Sequence, residues 1–243
     1  MNHEDARFLR ADRCGILVSE GFNYRKEKAE ILWNYLAHFA QLTDTQRGID
    51  TTVEFANSHT TATAREQLEG YLSQIEPEDR KRSGRWLTIK VPVSEGTCTV
   101  VTREPDRNPD SLITRGTRTF PVYDLDSRKV LFLKDGWRAD LGGMMNEIEI
   151  LQKLKGANVC HIPHYIKGGD FVGDEHSAAS YKFKDEKWRA GYLNELVPRR
   201  HYRFLECMVA RPLEEFGNPQ QLLQVLTDAF DGMFFYMFFC SVH

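Results

Sequence analysis

The stretch from residue 113 to residue 137, ITRGTRTFPVYDLDSRKVLFLKDGW, restricts the possible folds of this chain more than any other part of the sequence. Two runs rich in β-branched and aromatic residues surround a lone glycine and polar turn residues, a pattern that predicts strand, turn and strand. The second run ends at Lys134, and a helix-like segment, DLGGMMNEIEILQKLKG, follows it. Strands that lead into such a helix predict an α+β architecture.

Similar patterns predict the elements on either side. RFLRADRCGILVSEGFNY is expected to form two short strands around a polar turn, and YRKEKAEILWNYLAHFAQL a helix with one apolar face. TATAREQLEGYLSQI can form another amphipathic helix, and RWLTIKVPV and TCTVVTREP look like a strand pair. HYRFLECMVA is apolar enough for a buried strand. The last helix is expected to begin at Pro219, with Asn218 as its N-cap.

The composition excludes several classes of protein. With 41% hydrophobic and 28% charged residues, the chain is typical of soluble globular proteins. A net charge of -3 gives no reason to expect nucleic acid or an anionic membrane as a partner. The 5 cysteines are scattered and never form CxxC, which argues against a disulfide framework or a zinc site and favours an intracellular location, cytoplasmic or nuclear. Neither a signal peptide nor a membrane span is predicted.

The order of three residues fits the chemistry of phosphate binding. A strand-turn-strand can cover phosphates if its turn is small, a strand lysine can neutralise their charge, and a helix glutamate can orient that lysine. Gly116 supplies the turn, Lys134 ends a strand, and Glu147 follows on the helix. The same residues also fit an ordinary surface hairpin whose lysine flanks a turn and whose glutamate faces water. The residues alone leave both interpretations open.

The predicted helix gives Glu147 a rival. Met144, Ile148 and Leu151 fall on one face at helical spacing, with Glu147 beside them and Gly156 as a plausible stop. Glu149 lies about 200° around the helix from Glu147. If the apolar face packs on the sheet, Glu147 is the better placed to pair with the lysine.

Other candidate residues favour structural roles. CHIPHY (residues 160–165) hints at a metal site, but no second cluster with ligand spacing accompanies it, so a role at a strand entry is favoured. The arginines of VPRRHYRF (residues 197–204) can bind phosphate or peptide, but a solvated strand edge is the favoured interpretation. Asp12 and Asp50 lie in loops, and no partner can be assigned to either of them.

Several segments resemble one known family. RGTRTFPVYD, VLFLKDGWR and NEIEILQKL look like the first half of the fungal-type protein kinase family, a branch of the protein-kinase-like fold. RFLRADRCGILVSEGFNY, QLTDTQRGIDTTV and RRHYRFLECMVARPLEEF are also similar to segments of that family, in the same order. The resemblance therefore covers nearly the whole chain, and the pair RGTR and LKDGWR is its most specific part.

The resemblance implies a fold and a division of the chain. It predicts a kinase-like N-lobe and hinge, made of an antiparallel sheet and a C-helix, over residues 111–217. A family-specific α+β extension would occupy residues 1–110, and residues 218–243 would be the first helix of a truncated C-lobe.

The resemblance also implies a site. Lys134 would contact the α- and β-phosphates of ATP, and Glu147 would pair with Lys134. The segment around Leu205 and Glu206 would be the hinge strand, whose backbone meets the adenine. The phosphate-covering loop would contain Arg115, Gly116 and Thr117. The family activity is phosphoryl transfer from ATP to Ser or Thr of a protein substrate, with magnesium in a full-length version; no metal ligand is assigned in this chain.

The departures from the family pattern limit this interpretation. Thr114 and Thr119 stand where a kinase GxGxxG motif has glycines, so the backbone nest is weaker. His-Arg-Asp and Asp-Phe-Gly triplets are absent from the 243 residues. We therefore expect no kinase activity from this chain alone. The alternatives are a pseudokinase-like protein-interaction module and an α+β binding domain unrelated to ATP.

Overall fold

The structure, a computed structural model, describes residues 5–25, 29–75, 84–104, 113, 115–189, 196–207, 213 and 216–240. Its strands are β1 (Asp5–Ala6), β2 (Leu9–Ala11), β3 (Ile16–Val18), β4 (Phe22–Asn23), β5 (Val53–Phe55), β6 (Trp86–Val93), β7 (Gly96–Arg103), β8 (Arg118–Asp124), β9 (Lys129–Ala139), β10 (Tyr165–Asp170) and β11 (Arg199–Glu206). Its helices are α1 (Ala29–Gln41), α2 (Ser58–Ile75), α3 (Glu147–Gly156) and α4 (Pro219–Cys240), with short 3₁₀ helices at Asp174–His176 and Ala179–Phe183. The predicted α+β class is confirmed.

Within the described residues, seven strands form one sheet in the order β10-β11-β9-β8-β7-β6-β5. Every neighbouring pair is antiparallel. Short turns join β6 to β7 and β8 to β9, and such turns return the chain beside itself. The pairing of β7 with β8 runs across residue 110, so the sheet is continuous where the sequence predicted a domain boundary. The division into domains stays a prediction.

The sheet curls around an apolar core. Strand β6 approaches β10 and β11, although three strands separate it from β11 in the sheet order. Alternate side chains of the strands therefore meet on one face, which we call the inner face. The buried residues on it are Ile89, Val91, Cys98, Val100, Phe120, Val122, Leu131, Leu133 and Leu205.

Two helices cover the outer face. Helix α2 buries Ala64, Leu68 and Leu72, which recur at helical spacing, against side chains of β6, β7 and β8. Helix α3 buries Ile148 and Leu151 against the outward-facing aromatic side chains of β11. Both helices were predicted from their periodicity, and both predictions are confirmed.

The start of α3 differs from the prediction. Asn146 is the N-cap: its side chain accepts from the backbone N–H of Glu149, whose carboxylate accepts from the backbone N–H of Asn146. This capping box begins the helix at Glu147. Met144 therefore precedes the helix and is 55% exposed, so it does not belong to the apolar face. The predicted stop at Gly156 is confirmed.

The N-terminal elements lie beside the sheet. Strands β2 and β3 pair around a turn at residues 12–15, as predicted. Helix α1 is also confirmed, and Tyr35 from it stacks on Phe8 with ring centroids 4.1 Å apart. No side chain of α1 is buried, so its predicted apolar face is largely open to solvent. Within the described part of the chain, no helix is both long and apolar enough to cross a membrane.

A buried ionic network closes one end of the inner face. Arg203 is completely buried, and its Nε donates to Asp135 Oδ1 at 2.8 Å while its Nη2 donates to Asp50 Oδ2 at 2.6 Å. Asp135 also contacts His201 Nε2 at 2.7 Å and accepts from Arg118 at 2.6 Å. Burial raises the pKa of Asp135, but the charge of Arg203 and the other contacts hold that pKa far below its ordinary value.

This network corrects one prediction. Strand β11 lies between β10 and β9 instead of at a sheet edge, so the arginines of residues 197–204 do not form a solvated edge. Arg203 faces the core, and the carboxylates that neutralise it come from a loop and from β9. Sequence reasoning had no partner for Asp50, because that partner lies 153 residues away.

We expect the substitution Arg203→Met to lower the free energy of unfolding by about 3 kcal/mol or more, because it leaves buried carboxylates without their cation. Urea unfolding followed by circular dichroism measures this loss. The control is Arg85→Met, which breaks the exposed pair with Glu104 at 3.2 Å and should cost far less, because water screens both charges. Equal losses for the two variants would contradict the assignment.

Candidate functional site

The candidate site lies on the outer face of the sheet, between β9 and α3. Side chains alternate along β9, so Leu133 and Asp135 point inward while Lys134 points towards α3. Glu147 is the first residue of α3, and the capping box at Asn146 fixes where that helix begins. The ammonium of Lys134 donates to Glu147 Oε1, and both side chains are partly buried. The structure thus brings together the two residues that the sequence predicted as a pair.

Tyr202 completes the arrangement from β11. Its hydroxyl donates to Glu147 Oε2 at 3.0 Å, so the two carboxylate oxygens have different partners. Burial, followed by the charge of Glu147, raises the pKa of Tyr202 well above its ordinary value, which keeps the hydroxyl protonated as a donor. Sequence reasoning missed Tyr202. The alternation of Tyr202, Phe204 and Glu206 along one face of β11 was the available signal.

Glu149 does not compete for Lys134. Its carboxylate belongs to the capping box at Asn146, on a different side of the helix. The sequence-based preference for Glu147 agrees with this geometry.

The predicted hinge residues lie at the end of β11. Leu205 faces the inner core, whereas Glu206 lies on the face of Lys134 and is also buried. Burial raises the pKa of Glu206, and the charge of Lys134 opposes that effect. Both residues are in register with β9 on one side and β10 on the other, so their backbone is part of the sheet.

The predicted phosphate loop runs directly before β8. The sequence predicted that Gly116 forms the turn between the two strands, and this prediction is wrong. The turn between β8 and β9 consists of residues 125–128. Residues 115–117 precede the hairpin instead. Gly116 nonetheless has a φ of 52°, a left-handed conformation that favours glycine. Thr114 lies outside the described residues.

The segment 115–117 rests on the far end of β9. The backbone N–H of Trp137 donates to the carbonyl of Arg115 at 2.7 Å. Gly136 permits this approach, because a Cβ there would come within 3.2 Å of Thr117 Oγ1. Thr119 pairs in register with Lys134. The segment 115–117 therefore contacts β9 close to Lys134, the residue that pairs with Glu147.

The described residues include one group of side chains that could hold a metal ion, and CHIPHY is not part of it. Among the described residues, Cys98, Asp124 and Asp126 are the one group with the spacing of metal ligands. The ammonium of Lys167 lies 2.9 Å from Asp124, so a cation already neutralises that carboxylate. CHIPHY leads into β10, whose first residue is Tyr165, and the described residues bring no ligand cluster to it.

The comparison with known proteins identifies the family. A family model described as fungal protein kinase matches residues 3–235. The chain therefore belongs to the fungal protein kinase family, as its resemblance predicted. No curated protein and no solved structure shows a significant match to the chain.

We expect Tyr202 and Glu147 to be energetically coupled. Tyr202→Phe removes one hydrogen bond and should lower the free energy of unfolding by about 1 kcal/mol. Once Glu147→Gln is present, the same substitution should cost less, because the charged acceptor is gone. A double-mutant cycle in urea measures the coupling, with Tyr35→Phe on the exposed helix α1 as the control. Additive losses would show that the hydrogen bond does not form in solution.

Proposed function

We propose that this chain binds ATP through Lys134, and that Glu147 holds the lysine in place for the phosphates. The single observation that carries the proposal is the Lys134–Glu147 ion pair, which membership of a kinase family makes functionally significant. In protein kinases, a strand lysine held by a helix glutamate contacts the nucleotide phosphates. The lysine in this chain is 25% exposed, so its ammonium is oriented and still accessible to a ligand.

The surroundings of the pair suit a phosphate group. Glu147 and Tyr202 fix the lysine from the helix side, which lowers the cost of orienting it when an anion binds. Thr119 lies on β8 and Thr117 directly before it, and both are next to the part of β9 that carries Lys134. Arg115 and the backbone of Gly116 would add donors from the segment that covers this edge. ATP would supply the transferable phosphoryl group.

The architecture also supports a kinase-like N-lobe. An antiparallel sheet carries the lysine on an interior strand, β9, and α3 packs against that sheet with Glu147 in its first turn. We propose that α3 is the C-helix of the family and that the end of β11 leads into the hinge at Leu205 and Glu206. Strands β5, β6 and β7, which lie within residues 1–110, are then additions that the N-terminal extension makes to the lobe.

Phosphoryl transfer to Ser or Thr of a protein needs more groups than this chain contains. Kinase catalysis uses an Asp of the His-Arg-Asp loop to accept the substrate proton and an Asp of the Asp-Phe-Gly motif to hold magnesium. Neither triplet occurs in the 243 residues. We propose that this chain by itself binds nucleotide without transferring its phosphate.

A second candidate function is a protein-interaction module of the pseudokinase type. Helix α4 favours it, because Leu223 and Phe230 are 64% and 63% exposed. Exposed apolar side chains on one helix are typical of surfaces that a partner covers. Indifference to ATP in a folded chain would favour this candidate, or an α+β binding domain unrelated to ATP.

We expect Lys134→Ala to weaken ATP binding at least roughly tenfold, because it removes a charge-assisted contact to phosphate. Isothermal titration calorimetry with ATP and Mg²⁺ measures the change. Lys129→Ala, at the exposed start of the same strand, is the matched control and should bind like the unsubstituted chain. If Lys134→Ala binds ATP as tightly as Lys129→Ala, the proposed site is wrong.

We also expect no Lys134-dependent phosphate transfer by residues 1–243. The assay incubates the purified chain with radiolabelled ATP, Mg²⁺ and casein as a general Ser/Thr substrate. Incorporation should equal that of Lys134→Ala, because no residue can be assigned as the proton acceptor or as the metal-binding aspartate. Transfer that disappears in Lys134→Ala would overturn this part of the proposal.

A further inference from the structure

The tip of the β2–β3 hairpin is anchored by a single carboxylate. Asp12 Oδ1 accepts from the backbone N–H groups of Cys14 and Gly15, at 2.9 and 3.1 Å, and from the hydroxyl of Ser180 at 2.6 Å. Asp12 Oδ2 accepts from the backbone N–H of Ser180 at 2.7 Å. Burial alone would raise the pKa of Asp12, but these hydrogen bonds lower it, so the anchor is an ionised carboxylate.

The anchor is in turn tied to the sheet. Ser180 is buried in the 3₁₀ helix Ala179–Phe183. The residue two positions before it, Ala178, donates its backbone N–H to the carbonyl of Arg199 on β11 at 2.9 Å. The hairpin tip therefore has a fixed position relative to the strands that carry the candidate site.

Arg13, the next residue after the anchor, lies behind Gly116. A Cβ at Gly116 would collide with the guanidinium of Arg13. On its other side, the segment 115–117 is held by the hydrogen bond from Trp137 and by the close approach of Gly136 to Thr117. The segment is thus enclosed between an N-terminal arginine and the backbone of β9.

The charges around Arg13 agree with this placement. Burial lowers the pKa of Arg13 most, and the charges of Arg118 and Arg199 lower it as well. The charge of Asp135 opposes these effects. Both arginines belong to the inner face, on the strands β8 and β11. Lys134 and Glu147 lie on the outer face, so Arg13 supports the segment from behind and does not itself reach the lysine.

We propose that Arg13 is a positioning residue: the N-terminal hairpin, locked by Asp12 to Ser180, holds the segment 115–117 in the conformation that contacts nucleotide phosphates. This inference rests on the proposed ATP-binding function and gives the N-terminal part of the chain a role in it. Removing the Arg13 side chain takes away the guanidinium packed against Gly116, and the segment gains freedom that phosphate binding must then remove.

The test compares ATP with adenosine, which lacks phosphates, on the whole 243-residue chain. Arg13→Ala should weaken ATP binding roughly three- to tenfold and leave adenosine binding unchanged. Arg10→Ala, on the exposed strand β2 of the same hairpin, is the matched control and should change neither. Equal weakening of both ligands with a lower melting temperature would show a merely structural role and overturn the inference.

Two comparisons separate this inference from the proposed function. If Lys134→Ala weakens ATP binding and Arg13→Ala does not, the inference fails alone. If Lys134→Ala has no effect, the proposed function fails, and the phosphate-specific part of the inference fails with it. The mechanical part has a readout without nucleotide: the amide of Trp137 should exchange its hydrogen roughly three- to tenfold faster in Arg13→Ala. Unchanged exchange would overturn it.

Discussion

The rest of the structure depends on the buried ion pair between Arg203 and Asp135. It joins β11 to β9, and through Asp50 it also fixes the loop that leads into β5. A buried guanidinium is tolerated only when its charge and donors are matched, and here two carboxylates and the hydroxyl of Thr52 match them. The network therefore favours a single strand register in the curled sheet, because another register would leave these charges unpaired.

The same strand that supplies Asp135 supplies the candidate site. Lys134 and Asp135 are neighbours in sequence, and the alternation of a strand sends one outward and the other inward. Asp135 belongs to the buried network with Arg203, whereas Lys134 pairs with Glu147 on the outer face. A slip of one residue in the register of β9 would bury the lysine and expose the aspartate. The core network thus also fixes which residue faces α3.

Both the family match and the structure include the N-terminal part of the chain. The fungal protein kinase model matches the chain from residue 3 to residue 235, which includes the N-terminal part. In the structure that part adds β5, β6 and β7 to the sheet, packs α2 on its outer face, and places the β2–β3 hairpin against the segment 115–117. The N-terminal part is therefore physically continuous with the strands that carry the candidate site.

The sequence by itself determined the elements that depend on local patterns: the helices, from their apolar periodicity and caps, and the strand pairs, from alternation and turn residues. The family resemblance implied the pairing of Lys134 with Glu147, and the helix angle favoured Glu147 over Glu149 as the partner. The tertiary structure alone decided the partners of Asp12 and Asp50, the role of Tyr202 and the position of β11 between β10 and β9. These depend on contacts between residues far apart in the chain, which no local period or turn motif encodes.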